Sequence, residues 1–348
     1  MNHIKILKRA LNITINYRAL WIFGMLLALT SGSGSGNGGG GNSSSSSPNG
    51  DPNFNWQNPF GELPQFSPEV TNMWIGIAIG LACLILVLIV VGTIVRYVSE
   101  TALIRMVDEH ENSGEQLTIR QGFRLGWSRM AWKMFLMDLL VGLGFVTVFL
   151  LLLALAALPL LVWLTKNTPL QVIGTIVSAG SILLLVFAAI VAALAVTLIM
   201  IFARRACALE NLDVRASLRR GYDMDKHRLG DLVMMGVMMF GIGLLWIIVT
   251  IPVILAVIIV AALIAGLPAL LAGSIAGFFT EGATPWIVAA IVGAPIFLIA
   301  VIIPGALIGG WQQVFSSSAW TLTYREALAL EQVRVNDELP APDSAIEK

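Results

Sequence analysis

Charged residues are scarce in this sequence. They make up 12% of the 348 residues, against roughly 25% in soluble domains, and the mean hydropathy is +0.83. Their distribution is more telling than their number, because four long segments carry no charge at all: 70–95, 167–203, 232–280 and 282–324. A membrane-spanning helix needs about 20 apolar residues, and every one of these segments is longer. The sequence therefore predicts a polytopic helical membrane protein.

Cysteine and histidine are almost absent. Two cysteines exclude a disulfide framework and a four-cysteine metal site. The three histidines are far apart in the sequence, whereas a metal site needs its ligands together. No GxSxG, HExxH or P-loop spacing is present. We therefore predict no catalytic, cofactor-binding or metal-binding residue, and we expect a protein that is not an enzyme.

The apolar runs predict six membrane helices, over residues 17–30, 73–95, 134–164, 170–203, 232–265 and 286–311. Lysine and arginine in short loops resist translocation and set the orientation of such helices. Of the 21 basic residues, 20 lie before residue 19, in the connections 96–133 and 204–231, or from Arg325 onwards. The opposite loops hold Lys166 alone. Six crossings with both termini in the cytoplasm satisfy this pattern, so we predict a multi-pass plasma-membrane protein.

A low-complexity tract, TSGSGSGNGGGGNSSSSSPNGD, runs from Thr30 to Asp51 after a short apolar run. It fits a cleaved signal peptide with its spacer, an engineered linker, or a native loop. The 18 residues before Ala19 are long for the basic segment of a signal peptide, and the tract grades into NFNWQNPFGELPQFSPEV, which is unlike vector sequence. We predict a disordered extracytoplasmic loop over 31–72, with the first helix retained in the mature chain.

Two segments of the chain are similar to each other. TIRQGFRLGWSRM begins at Thr118 and SLRRGYDMDKHRL begins at Ser217, and both read hydroxyl, aliphatic, Arg, polar, Gly, aromatic. ILKRALNITINYRALW, from Ile6, matches them loosely. We predict an all-α bundle of three repeats, each an amphipathic lead-in helix followed by a helical hairpin. The single membrane domain then covers 1–330, with repeats at about 1–98, 99–203 and 204–330, and 331–348 is a flexible cytoplasmic tail.

The lead-in helices place apolar residues on one face and basic residues on the other. Ile4, Leu7, Leu11 and Ile15 share a helical face, and so do Ile119, Phe123 and Trp127. Helices of this kind lie in the bilayer interface, with Arg near anionic headgroups. The candidate headgroup contacts are Arg120, Arg124, Arg219 and Arg220. A role as topology anchors alone stays open as the alternative.

Asp138 is the best candidate for a functional polar residue inside the membrane, because intramembrane carboxylates are functional candidates by default. A structural role is nevertheless the favoured interpretation. Lys133 precedes it by about one turn and is expected to pair with it or to lie beside it. Pro252, Pro295 and Pro304 are expected to kink or break helices five and six. Residues 266–285 read as an outer-face turn with an interfacial helix, and a re-entrant helix is the alternative.

Four motifs together resemble a family of bacterial six-helix proteins: LKRALNITINYRALWIFG, RQGFRLGWSR, RRGYDM and SAWTLTYREAL. This family is related to the membrane domain found fused to glycerophosphodiester phosphodiesterases. The resemblance implies a bacterial membrane location and a repeated architecture. It implies no hydrolysis, because the phosphodiesterase itself is a soluble barrel of about 250 residues that this chain has no segment to form.

Two functions remain after these exclusions. The first is a non-enzymatic accessory or scaffold protein that acts at the cytoplasmic lipid interface. The second is a transporter or channel for a small or amphiphilic solute, with access between helices five and six. Membrane lipids with anionic headgroups, a protein partner or a second copy of the chain are the expected partners, and nucleic acid is not.

Overall fold

The computed structural model describes residues 2–30, 68–164, 168–279 and 284–338. Within these ranges the chain is helical and has no strand, which confirms the all-α class. The helices are α1 (His3–Asn16), α2 (Ala19–Thr30), α3 (Pro68–Ser113), α4 (Ile119–Gly126), α5 (Arg129–Ala157), α6 (Thr168–Glu210), α7 (Val214–Gly277) and α8 (Thr284–Glu338), with a 3₁₀ helix over Leu158–Leu164. Two compact units result: residues 1–37 with 95–348, and residues 38–94. The first unit holds every contact discussed below.

Five described helical segments are long and apolar enough to cross a membrane: Ile79–Ser113, Arg129–Trp163, Thr168–Glu210, Gly230–Gly277 and Thr284–Val333. Helices α1 and α2 meet at a bend of 98° and make a sixth span if they are counted as one. Alone, α2 is about 18 Å long, which is shorter than the roughly 30 Å hydrocarbon core. The chain is a multi-pass membrane protein with five or six candidate spans.

The helices extend well beyond the predicted spans. Helix α3 continues to Ser113 and α6 to Glu210, while α7 already begins at Val214. The predicted ends of the second and fourth membrane helices, at residues 95 and 203, are therefore wrong, and the third lead-in segment is the first part of α7. The apolar pattern ends where charges appear, but the backbone stays helical, and several of those charges are paired with a neighbouring helix, as Glu100 is with Arg204 and Asp108 with Arg325.

Proline breaks neither of the last two helices. Helix α7 runs through Pro252 and Pro268, and α8 runs through Pro295 and Pro304. The prediction of an outer-face turn with an interfacial helix over 266–285 is wrong up to Gly277, because α7 continues to this residue as one helix. Residues 280–283 lie outside the described residues. Neighbouring helices and local adjustments can satisfy the backbone groups that proline frees in a membrane helix.

The predicted loop and tail fall mostly outside the described residues. The loop prediction over 31–72 is wrong for 68–72, which are the start of α3, and residues 31–67 are not described. The tail prediction over 331–348 is wrong for 331–338, which complete α8, and residues 339–348 are not described. The predicted repeat boundary at 98/99 lies inside α3.

The buried core of the first unit lies at one end of the helices, called the basic end because Arg105, Arg204, Arg220 and Arg325 lie there. Its largest buried side chains come from α2, α3, α6, α7 and α8, among them Leu20, Phe23, Met106, Phe202 and Tyr324. By contrast, at most 6% of the most apolar window of each candidate span is buried. The spans therefore present their apolar side chains outward, as lipid-facing surface does.

Glycine allows α2 and α8 to approach closely. A β-carbon added to Gly310 would lie 2.7 Å from the backbone nitrogen of Met25 and 2.8 Å from its Cα. A β-carbon added to Gly24 would meet the Gly310 carbonyl and the Val314 side chain. Since backbone atoms cannot move aside as a flexible side chain can, only a residue without a β-carbon fits at these positions.

Helix α1 has two apolar faces. Ile6, Ala10 and Ile13 are buried against the core, whereas Ile4 and Ile15 are exposed. The exposed face is the one whose periodicity the sequence analysis identified. Of that face only Leu7 packs against the core, and the exposed Ile4, Leu11 and Ile15 are free to contact a bilayer surface.

Helix α4 repeats this arrangement. A β-carbon on Gly122 would lie 2.8 Å from the Phe23 ring, and one on Gly126 would lie 3.0 Å from Ala102, so these glycines form its packed face. Its exposed apolar side chains are Ile119 and Phe123, and Trp127, which follows the helix, is 71% exposed. The side-chain oxygen of Gln121 accepts hydrogen bonds from the Thr118 backbone N–H and hydroxyl, both at 2.8 Å, at the predicted helix start.

Candidate functional site

Four polar residues form a junction between α3, α5 and α6. The Arg204 guanidinium donates to both carboxylate oxygens of Asp138, at 3.1 and 2.8 Å, and to Glu100 at 2.9 Å. The Tyr97 hydroxyl donates to Asp138 at 2.9 Å. Both carboxylates are largely buried, with side-chain exposures of 14% for Glu100 and 16% for Asp138. Paired in this way, Asp138 cross-links helices inside the bundle.

The expected neighbour of Asp138 binds elsewhere. The Lys133 ammonium contacts Asp213 at 2.6 Å and the Leu212 carbonyl at 3.4 Å. Of the two alternatives predicted for Lys133, the one in which it pairs with Asp138 is therefore wrong. Residues that share a helix face are three or four apart, and these two are five apart. The pKa of Asp213 lies below its usual range because Lys133 donates a hydrogen bond to its carboxylate.

A second cluster joins α6, α7 and α8. The Arg220 guanidinium donates to both oxygens of Glu331, at 3.0 and 2.7 Å, and lies 3.6 Å from Glu210. The Tyr324 hydroxyl donates to Glu210. The hydrogen bond to Glu331 raises the pKa of Arg220. Two carboxylates therefore hold Arg220 within the bundle, and the guanidinium is not free to meet a lipid headgroup.

The other three predicted headgroup contacts are exposed. Arg219 is 86% exposed and lies 3.9 Å from Asp223, one turn away. Arg120 and Arg124 line a surface pocket of about 430 Å³ with Thr118 and Gln121. Neither of these two arginines forms an ion pair with any described residue. The structure thus brings Arg120 and Arg124 together and leaves their positive charge available to a ligand.

Further ion pairs tie the remaining helices to the basic end, and the sequence analysis did not identify them. Arg325 of α8 contacts the Asp108 carboxylate of α3 at 2.6 Å, and Arg9 of α1 contacts Glu111 of α3 at 2.9 Å. These partners are 217 and 102 residues apart in the chain. The resemblance motifs contain Arg9 and Arg325, but nothing in the sequence names their acidic partners.

An apolar cavity of about 640 Å³ separates α7 from α8 within their candidate spans. Its lining is Val253, Ala256, Val257, Val260, Ala261, Ile264, Ile296, Ile299, Ala300, Ile303 and Pro304. No lining side chain is polar, so the cavity suits a hydrocarbon chain better than a hydrated ion. Across the ranges described, no three His, Cys, Asp or Glu residues are grouped as a metal site would require.

Comparison with known proteins gives one match. No curated protein and no solved structure is similar to the chain. Residues 9–321, from α1 into α8, match a family of unknown function. The match provides no link to the membrane domain fused to glycerophosphodiester phosphodiesterases. Because it covers most of the sequence, the chain belongs to this family, DUF7544.

Proposed function

We propose that this protein is a non-enzymatic accessory or scaffold protein that binds anionic lipid at the cytoplasmic surface of a bacterial plasma membrane. The observation that carries the proposal is the pocket on α4, where Arg120 and Arg124 lie side by side without a carboxylate partner among the described residues. Ile119 and Phe123, on the same short helix, are exposed and apolar. A helix with this combination binds headgroups with its basic side and acyl chains with its apolar side.

Lipid binding at α4 is tested by changing Arg120→Gln and Arg124→Gln together. A basic side chain near an anionic leaflet contributes about 1 kcal/mol, so the pair contributes about 2 kcal/mol, or about thirtyfold in affinity. We expect the double variant to retain correspondingly less phosphatidylglycerol than the wild type, measured by native mass spectrometry of the full chain from nanodiscs.

A charge-matched control separates a site from a general basic surface. Arg18→Gln with Arg215→Gln removes the same charge from two exposed positions outside the predicted headgroup contacts and leaves α4 intact. This variant should retain phosphatidylglycerol nearly as the wild type does. If both variants lost the same amount of bound phosphatidylglycerol, lipid binding would depend on net charge alone. Helix α4 would then be a topology anchor.

For this function we propose an architecture of six membrane crossings in three repeats, with both termini in the cytoplasm. The first crossing would be α1 with α2. In support, Ala10, Gly122 and Gly221 occupy equivalent positions of the three similar segments and are all buried, whereas the next residues, Leu11, Phe123 and Tyr222, are all exposed.

Reporter fusions test this topology. Because 20 of the 21 basic residues then stay cytoplasmic, fusions after Asn49, Asn167 and Gly282 should report an external position. An internal signal from the Asn49 fusion would leave five crossings and would place the two termini on opposite sides.

Transport of an amphiphile across the membrane is the second candidate function, and the apolar cavity between α7 and α8 favours it. Ala256→Leu with Ala300→Leu adds bulk to the cavity from both helices. We expect this change to reduce the flip rate of a fluorescent fatty-acid analogue in proteoliposomes at least severalfold. Ala262→Leu, on the exposed side of α7, should leave the rate unchanged. A wild-type rate equal to that of empty liposomes would remove this candidate.

A further inference from the structure

The pocket on α4 has a strongly positive lining. Four residues form it, Thr118, Arg120, Gln121 and Arg124, and its volume is about 430 Å³. Neither arginine forms an ion pair within the described part of the chain. The side-chain oxygen of Gln121 already accepts two hydrogen bonds from Thr118, so its amide N–H groups remain for a ligand. One ligand in this pocket therefore meets two full positive charges and further donors.

Two turns of α4 repeat the same pair of an apolar and a basic residue. Ile119 precedes Arg120, and Phe123 precedes Arg124. Consecutive residues of an α-helix are about 100° apart around its axis, and residues four apart lie on the same face. A stripe of Ile119 and Phe123 therefore lies beside a stripe of Arg120 and Arg124, and all four residues are exposed. Each turn places a contact for hydrocarbon next to a contact for an anion.

We propose that α4 binds a lipid whose headgroup carries two phosphates, one held by Arg120 and the other by Arg124. The inference rests on the function proposed for α4 and names the class of lipid that the site prefers. A guanidinium group has parallel N–H donors that match two oxygens of one phosphate, so each arginine can hold one phosphate. The acyl chains next to the phosphates contact Ile119 and Phe123. A lipid with a single phosphate would engage only one of the two turns in this way.

The spacing of the two arginines agrees with such a headgroup. Arg120 and Arg124 are four residues apart, which is about 6 Å along the helix axis. Two phosphates joined by a three-carbon bridge, as in cardiolipin, have six bonds between their phosphorus atoms. With bonds of about 1.5 Å and angles of about 111°, an extended chain advances about 1.25 Å per bond, so the phosphorus atoms are at most about 7.5 Å apart. A slightly bent bridge therefore lets both phosphates reach their arginines at the same time.

The test compares cardiolipin, which has two phosphates, with phosphatidylglycerol, which has one. The full chain is placed in phosphatidylcholine nanodiscs that contain one of these lipids at equal total phosphate, and native mass spectrometry measures the retained lipid. When one phosphate is bound, the bridge holds the other near the second arginine, and a basic side chain contributes about fivefold in affinity. We expect the wild type to bind cardiolipin at least about fivefold more strongly. Arg120→Gln and Arg124→Gln, made singly, should each abolish this preference.

The charge-matched control is again Arg18→Gln with Arg215→Gln, which should keep the preference for cardiolipin. A wild type without this preference, or a preference that survives both single changes, overturns the proposal. Loss of phosphatidylglycerol from the double variant Arg120→Gln with Arg124→Gln would still support the function proposed for α4, so the two failures are distinguishable. A soluble glycerol bisphosphate serves as the competitor without acyl chains. If it displaces cardiolipin at an equal concentration, the hydrocarbon adds nothing and the assignment to a lipid is wrong.

Discussion

Arg204→Met is expected to lower the free energy of unfolding by about 3–5 kcal/mol, the usual cost of removing one partner from a buried ion pair. The change leaves Glu100 and Asp138 buried side by side, each without its guanidinium donor. Equilibrium unfolding of the purified protein in mild detergent measures the effect. Helices α3, α5 and α6 should separate first, which cysteine accessibility at Cys207 would report, since this residue is fully buried in the folded chain.

A compensated variant provides the control for this experiment. Arg204→Met combined with Glu100→Gln and Asp138→Asn removes the charges together with their partner. Replacing a buried ionic group as a whole is often nearly neutral, so most of the lost stability should return. A triple variant as unstable as Arg204→Met would mean that the stability depends on the packing of the Arg204 side chain, and not on its charge.

Gly310→Leu should also destabilise the protein, by about 3 kcal/mol, the upper end of the range for overpacked sites. A β-carbon at Gly310 meets the Met25 backbone at 2.7 and 2.8 Å, so α2 would have to move away from α8. The same detergent unfolding measurement applies.

Gly305→Leu is the matched control for this change. It lies five residues earlier on α8, and a β-carbon there meets no atom within 4 Å. Its stability should stay within about 0.5 kcal/mol of the wild type, as substitutions away from tight contacts usually do. If the two leucine variants are equally stable, α2 does not pack on α8 through Gly310.

The sequence was sufficient to predict the helical class and the approximate position of the apolar spans. Both follow from local pattern, because a helix satisfies its own backbone in lipid and lipid-facing side chains must be apolar. The start of α4 could also be predicted from neighbouring residues, since Thr118 and Gln121, which bond to each other there, are three residues apart. The exposed apolar side of α1 was also visible in the spacing of Ile4 and Ile15.

The ion-pair partners of the charged side chains could not be predicted, because they depend on which helices become neighbours. Lys133 was the only partner considered for Asp138 in the prediction, since only near neighbours are visible in a sequence. Its actual partner, Arg204, is 66 residues away on another helix. Arg220 was predicted to face lipid for the same reason, as its partner Glu331 is 111 residues away. The ends of the helices were missed because ion pairs of this kind extend them past the apolar runs.

The contact between the N-terminal helices and α8 has a consequence for biosynthesis. Helices α1 and α2 are made before the other described helices, and both pack on α8, the last of the described helices along the chain. The backbone nitrogen of Asn2 reaches the Glu326 carboxylate at 3.2 Å, across 324 residues of sequence. The docking place of α2 on Gly310 does not exist while the ribosome is still translating the middle of the chain. Gly24 of α2 must therefore stay in the nascent protein without its final neighbour, and this contact can close only after α8 has been made.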